Sequence, residues 1–125
     1  MTNKPKKVLW VDDSSTVLLM GRMVLERARY ELVTAPDGRE AVRKAATERP
    51  DLILMDVVMP QMNGFEACRK LKEQETTRNI PVILLTTRGE EQSVQEGFES
   101  GCCDYLTKPV REQELLEMLK NYLGE

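Results

Sequence analysis

Polar side chains close four short strand-like runs of this sequence. Asp12 and Asp13 follow Val8-Leu9-Trp10-Val11, Asp56 follows Leu52-Ile53-Leu54-Met55, Thr86 and Thr87 follow Val82-Ile83-Leu84-Leu85, and Lys108 with Pro109 follows Asp104-Tyr105-Leu106-Thr107. Brought to one rim, the three carboxylates Asp12, Asp13 and Asp56 repel one another, which raises their pKa values or opens the rim unless a cation sits among them. Soft ligation is not on offer, because the chain has no histidine and its three cysteines, Cys68, Cys102 and Cys103, lack metal-type spacing. Magnesium suits the set, since it takes one or two carboxylates, a backbone carbonyl, retained waters and a phosphate oxygen. A lysine and a hydroxyl facing the same ion are what a phosphoryl group needs, because its transfer depends on charge neutralisation more than on covalent help. Without histidine, phosphoryl chemistry within this chain must run through carboxylates, hydroxyls or lysine.

Singly, these residues have ordinary uses. Asp13 or Ser14 can cap a helix, Asp56 can open a turn before Pro60, Thr86 suits a strand and Lys108 a solvated surface. Only their joint placement at strand ends points to a site, so the elements that gather those ends have to be found.

Apolar runs alternate with helix-period segments along the whole chain, the pattern of a parallel sheet covered by helices on both faces, so the fold class is α/β. The runs 8–11, 52–55 and 82–85 are apolar throughout, as strands buried on both faces are. Segments 30–35 and 104–107 mix polar and apolar residues and belong at the sheet edges, making five strands. Val17, Met20, Gly21, Val24 and Ala28 recur at helical spacing, as do Ala41, Val42, Ala45 and Ala46. Phe65, Cys68 and Leu71, then Val94, Gly97, Phe98 and Gly101, then Leu115, Leu119 and Tyr122 supply further stripes, making five helices. Asp37 with Glu40 and Asn63 with Glu66 each put a short acceptor at a helix start and a carboxylate three residues later, while Pro50 and Pro81 stand just before strands. With 125 residues and no Gly/Ser linker, repeat or low-complexity tract, the chain reads as one domain over 1–125 with no effector domain attached. Right-handed crossovers make it doubly wound, and in such sheets the ligand site lies outside the carboxyl ends of the strands.

Composition excludes some functions. At 41% hydrophobic and 31% charged residues, the chain is an ordinary globular one. A formal charge of -3, with no face that clusters Lys and Arg, predicts no direct nucleic-acid contact. No apolar run reaches the length of a signal peptide or a membrane span, so no membrane insertion is expected and the location reads as cytoplasmic. The odd cysteine count fits reduced, mostly buried thiols.

Taken as a set, Val11-Asp12-Asp13-Ser14, Leu54-Met55-Asp56-Val57-Val58-Met59-Pro60-Gln61-Met62-Asn63-Gly64, Leu85-Thr86 and Asp104-Tyr105-Leu106-Thr107-Lys108-Pro109 resemble the receiver domain of bacterial response regulators, over essentially the whole chain from Lys7 to Leu123. The resemblance implies a flavodoxin-like fold with strand order 2-1-3-4-5 and a phosphorelay switch rather than an enzyme, promoting only its own phosphorylation and dephosphorylation. It implies that a sensor histidine kinase passes a phosphoryl group to Asp56. It implies that Asp13, Asp56 and the backbone carbonyl of Val58 bind Mg2+ directly while Asp12 holds a metal-bound water. Lys108 and Thr86 resemble the cation and the hydroxyl that contact phosphoryl oxygens, and Pro109 matches a position with a cis peptide that aims Lys108 inward. Tyr105 resembles an aromatic that moves inward with Thr86, remodelling the face of helix four, strand five and helix five for a downstream protein.

Some positions depart from that pattern. Thr87 stands where a smaller Ala or Gly more often follows the switch hydroxyl, and its bulk predicts slow dephosphorylation. Val58 and Arg88 occupy flanking positions that tune phosphorylation and dephosphorylation rates in that family. Arg111 replaces the usual Asp or Ser cap of the last helix, with Glu112 and Glu114 offsetting this by about 0.5 kcal/mol each through the helix dipole. Trp10 shares strand parity with Asp12 and reads as core. Rival readings fit less well. An aspartyl-nucleophile phosphatase of the haloacid dehalogenase kind needs a second Asp where this chain has Val58, and a nucleotide switch needs a G-x-x-x-x-G-K-S/T loop. A degenerate receiver that only docks partners has no use for an intact Asp12, Asp13, Asp56, Thr86 and Lys108.

Overall fold

The computed structural model describes residues 5–59, 62–87 and 94–124. Strands and helices alternate as β1 (Lys7–Val11), α1 (Ser15–Arg27), β2 (Glu31–Ala35), α2 (Gly38–Glu48), β3 (Leu52–Asp56), α3 (Gly64–Glu73), β4 (Val82–Thr87), α4 (Val94–Glu99), β5 (Asp104–Lys108) and α5 (Glu112–Leu123). The five strands pair in parallel in the order β2-β1-β3-β4-β5. The three apolar runs form the interior strands, buried along almost their whole length, and the two mixed runs form the edges.

Strand alternation divides the interior into two cores. Leu9, Val11, Ile53, Met55 and Leu84 face α2 and α3, while Val8, Trp10, Leu54, Ile83 and Leu85 face α1 and α5. Each fully buried Leu, Ile or Val contributes about 1.5–3 kcal/mol.

Three helices differ from their expected stripes. In α1 the buried residues are Gly21 and Leu25, whereas Met20 is 62% exposed. Gly21 lies so close to the Trp10 ring that a Cβ there would meet it at 2.6 Å, which turns Leu19, Met20 and Met23 outward. Phe98 on α4 is exposed, and Gly101 lies beyond that helix at φ 106. Tyr122 on α5 is exposed too, with its hydroxyl donating to the Cys103 carbonyl and the Asp104 carboxylate, each at 3.1 Å. The readings placed on Pro60, Gln61, Arg88 and the side chain of Val94 fall outside the described residues.

Helix starts follow the local signals. Ser14 accepts from the Val17 N–H, Asp37 from the Glu40 N–H, and Asn63 with Glu66 forms a reciprocal capping box. Arg111 caps α5 without a side-chain hydrogen bond, as expected. All three cysteines are free, Cys68 and Cys102 buried and Cys103 partly so. Among the described residues no helix is long and apolar enough to cross a membrane.

Candidate functional site

Strand order reverses between β1 and β3, so the connections leaving them part and open a crevice at their carboxyl ends. Val11 stands opposite Met55, and the next residue of each chain, Asp12 and Asp56, therefore emerges side by side. Both are buried. The Asp12 N–H donates to the Ala35 carbonyl at 3.1 Å, and its carboxylate accepts the Ser14 N–H at 2.9 Å, a turn that leads into α1 and leaves Asp13 exposed beside it. One carboxylate oxygen from each of Asp12, Asp13 and Asp56 can lie within 4.8 Å of the others. Three hard oxygen donors that close suit a divalent cation such as magnesium.

Lys108 ends β5, opposite Thr87 of β4, and reaches across β4 to the carboxylates. Its Nζ lies 2.7 Å from Asp12 Oδ2 and 3.1 Å from Asp56 Oδ2. The peptide to Pro109 is cis, as the resemblance implied. Burial pushes the Asp56 carboxyl above its ordinary pKa; Lys108 and a backbone hydrogen bond from Val58 pull the other way without cancelling it. For Lys108, burial works against the ammonium, but the bonds and charges of Asp12 and Asp56 outweigh it and hold its pKa above the usual lysine value.

The remaining predicted residues differ in exposure and register. Thr86 is buried at the end of β4 and Thr87 is exposed just beyond it. Val58 follows Asp56 by two residues and is 60% exposed. Tyr105 pairs with Leu84, two residues short of the Thr86 level, and is partly exposed, its ring centroid 6.3 Å from that of Phe98. A cavity of about 620 Å³ between α1 and α5, lined by Trp10, Val17, Gly21, Pro109 and Leu115, meets the site only through Lys108 and is mainly apolar.

Gly64, in the same motif as Asp56, also shapes the site. A Cβ there would lie 2.5 Å from the Asp56 carbonyl oxygen, and its N–H donates to the Val57 carbonyl at 2.9 Å. The start of α3 is thereby pressed against the turn that carries Asp56. A glycine directly behind the Asn63 cap, where any good helix former would serve, was the available signal.

The family model for the response regulator receiver domain matches residues 8–120. The chain belongs to the response regulator receiver family. This receiver is 41% identical over 118 residues to Protein PilH of Pseudomonas aeruginosa, a match covering 94% of this chain and 98% of PilH. It is also 41% identical over 118 residues to the alkaline phosphatase synthesis transcriptional regulatory protein PhoP of Bacillus subtilis, covering 94% of this chain but 48% of PhoP, so it spans about half of that relative. In structure it is similar to the receiver domain of sensor histidine kinase PA1611 of Pseudomonas aeruginosa, with a TM-score of 0.89, 31% identity, and coverage of 97% of this chain and 99% of that one. The crystal structure of that domain has a magnesium ion coordinated in its active-site cleft. Receivers are signalling switches of two-component systems, and the flavodoxin-like fold and strand order are those the resemblance implied.

Proposed function

We propose that this receiver accepts a phosphoryl group on Asp56 from the phosphohistidine of a sensor histidine kinase and then presents an altered face of α4, β5 and α5 to a downstream protein. The observation that carries this reading is the convergence of the Lys108 ammonium on the buried carboxylates of Asp12 and Asp56, with Asp13 beside them. A surface lysine or a capping aspartate has no reason to be placed that way.

Asp56 is the nucleophile: one carboxylate oxygen forms a bond to phosphorus as the phosphorus–nitrogen bond breaks, and the electron pair leaves with the imidazole. Asp13, Asp56 and the Val58 carbonyl would hold Mg2+, with Asp12 beside them on the ion's water side, and the ion would supply charge neutralisation for the phosphoryl oxygens. The magnesium in the active-site cleft of the related PA1611 receiver supports magnesium as the ion. Lys108 neutralises a further phosphoryl oxygen, and the buried Thr86 hydroxyl turns to another, with Tyr105 following it inward. Thr87, exposed at the end of β4, hinders the water that hydrolyses the acyl phosphate, so Thr87→Ala shortens the phosphate half-life. Function within the cell interior as one receiver domain, without direct nucleic-acid contact, completes the reading, in keeping with a net charge of -3.

Intact mass after incubation with acetyl phosphate tests the proposal. The expected result is a gain of one phosphoryl group with magnesium, lost on adding a chelator and lost in Asp56→Asn. An unchanged mass, together with no response to beryllofluoride and magnesium, would instead make the domain a docking module that is never phosphorylated.

A further inference from the structure

We infer that Phe98 is a positioning residue for the switch: its edge-on contact with Tyr105 holds that ring outward and so opposes the phosphorylated state. This rests on the inward movement of Tyr105 proposed above. The contact has an edge-to-face geometry, with ring planes at 85° and centroids 6.3 Å apart, within the favourable range for aromatic pairs.

The fold explains why the two rings meet. Gly97 presses α4 onto the sheet, since a Cβ there would lie 3.1 Å from Leu84 Cδ1, 3.4 Å from Phe65 Cε1 and 3.5 Å from Cys102 Sγ. Leu84 is the register partner of Tyr105, so α4 crosses at the level of Tyr105 and its next residue, Phe98, meets the ring of that neighbouring strand. Phe98 is 47% exposed and Tyr105 36%, so neither ring is a core group. Their contact contributes little to folding and falls mainly on where Tyr105 sits.

A contact made in one position of Tyr105 and lost in the other shifts the balance between them by its own free energy. An edge-to-face pair corresponds to about a two- to tenfold shift. Phe98 is thus a brake on activation, acting through Tyr105 and not on the phosphoryl group.

The experiment is a titration with beryllofluoride, the beryllium trifluoride group standing in for the phosphoryl group, at saturating magnesium on the full chain and on Phe98→Ala, Phe98→Tyr, Tyr105→Ala and the double variant Phe98→Ala with Tyr105→Ala. The Tyr105 ring resonances are followed by NMR in the unliganded proteins. Phe98→Ala is expected to lower the titration midpoint about two- to tenfold and to move the Tyr105 resonances toward those of the beryllofluoride form, while Phe98→Tyr behaves as the parent does. In the Tyr105→Ala background, removing Phe98 should change nothing further, because the two residues act as a unit. An unchanged or raised midpoint in Phe98→Ala, or the same shift with Tyr105 absent, overturns the inference. If the parent itself ignores beryllofluoride, the phosphoacceptor reading fails and this inference falls with it, whereas a parent that responds with the same midpoint as Phe98→Ala overturns the inference alone.

Discussion

The acidic rim and the aromatic pair on α4 and β5 are held by the same sheet with very different firmness. At the rim, the buried Asp12 carboxylate is fixed by the Ser14 N–H and by Lys108, and the buried Asp56 by Lys108 and the Val58 backbone. Across the sheet, the Phe98 and Tyr105 rings lean on each other with about half or more of their surface hidden and the rest in solvent. The contrast has a physical sense. Groups that stabilise developing charge work best when already in place, so that no reorganisation is needed during reaction. A group that reports the reaction needs two positions of similar free energy, so that a modest perturbation moves it.

Replacing Lys108 with Met should break the firm region most severely. Two buried carboxylates then lose their shared cation, and removing one partner of a buried ion pair typically costs about 3–5 kcal/mol; with Lys108 20% exposed, about 3 kcal/mol is expected. Urea unfolding should show that loss in the presence of a chelator and a smaller one at saturating magnesium. Equal losses under both conditions would mean that Lys108 and the metal do not neutralise the same carboxylates.

A pair of glycine substitutions sharpens the comparison. Gly64→Ala places a Cβ 2.5 Å from the Asp56 carbonyl and 3.0 Å from Val57 Cα, both backbone atoms that cannot yield separately. It should lower stability by about 1–3 kcal/mol and reduce phosphoryl uptake by displacing Asp56. Gly97→Ala meets first the end of the Leu84 side chain at 3.1 Å, and the gain in helix propensity, about 1 kcal/mol, offsets the crowding. Its stability should stay within about 1 kcal/mol of the parent. A Gly97 variant damaged more than the Gly64 variant would contradict the idea that the rim is the less forgiving region.

The smallest effect is expected at alkaline pH. Burial pushes the Cys102 thiol, packed beneath α4, up to about 12, whereas an unfolded thiol ionises near pH ~8.5. Above that pH the unfolded chain binds fewer protons than the folded one, so stability falls as pH rises, by at most about 1.4 kcal/mol per unit until the folded thiol ionises. Between pH 8 and ~9 the loss stays under ~1 kcal/mol, and over that range the urea midpoint of the parent should fall more steeply than that of Cys102→Ala. Parallel slopes would show that the burial of this thiol leaves no mark on stability.

Much of the fold was legible in advance, and for specific reasons. Leu52-Ile53-Leu54-Met55 has no polar face, so it had to be an interior strand, and Asp56 at its end stood out against that run. Asn63 and Glu66 announced a helix start through purely local bonds, and both bonds are present. Phe98, Tyr122 and Met20 misled because apolar periodicity reports which residues could be buried, not which ones a neighbouring element reaches. Met20 lost its place in the interior to the contact between Gly21 and Trp10, a fit between two elements that no spacing within either reveals.

By itself, then, the sequence determined the order of the elements, which strands lie inside, and which residues end them. Those are consequences of period, cap and turn chemistry, interactions between residues near each other along the chain. Tertiary structure alone decided that the Lys108 Nζ rests between Asp12 and Asp56, that Gly64 abuts the Asp56 turn, and that Phe98 meets Tyr105 edge-on. Each depends on ångström-scale distances between elements, set by how side chains of particular volume pack across a twisted sheet rather than by any repeat in the chain.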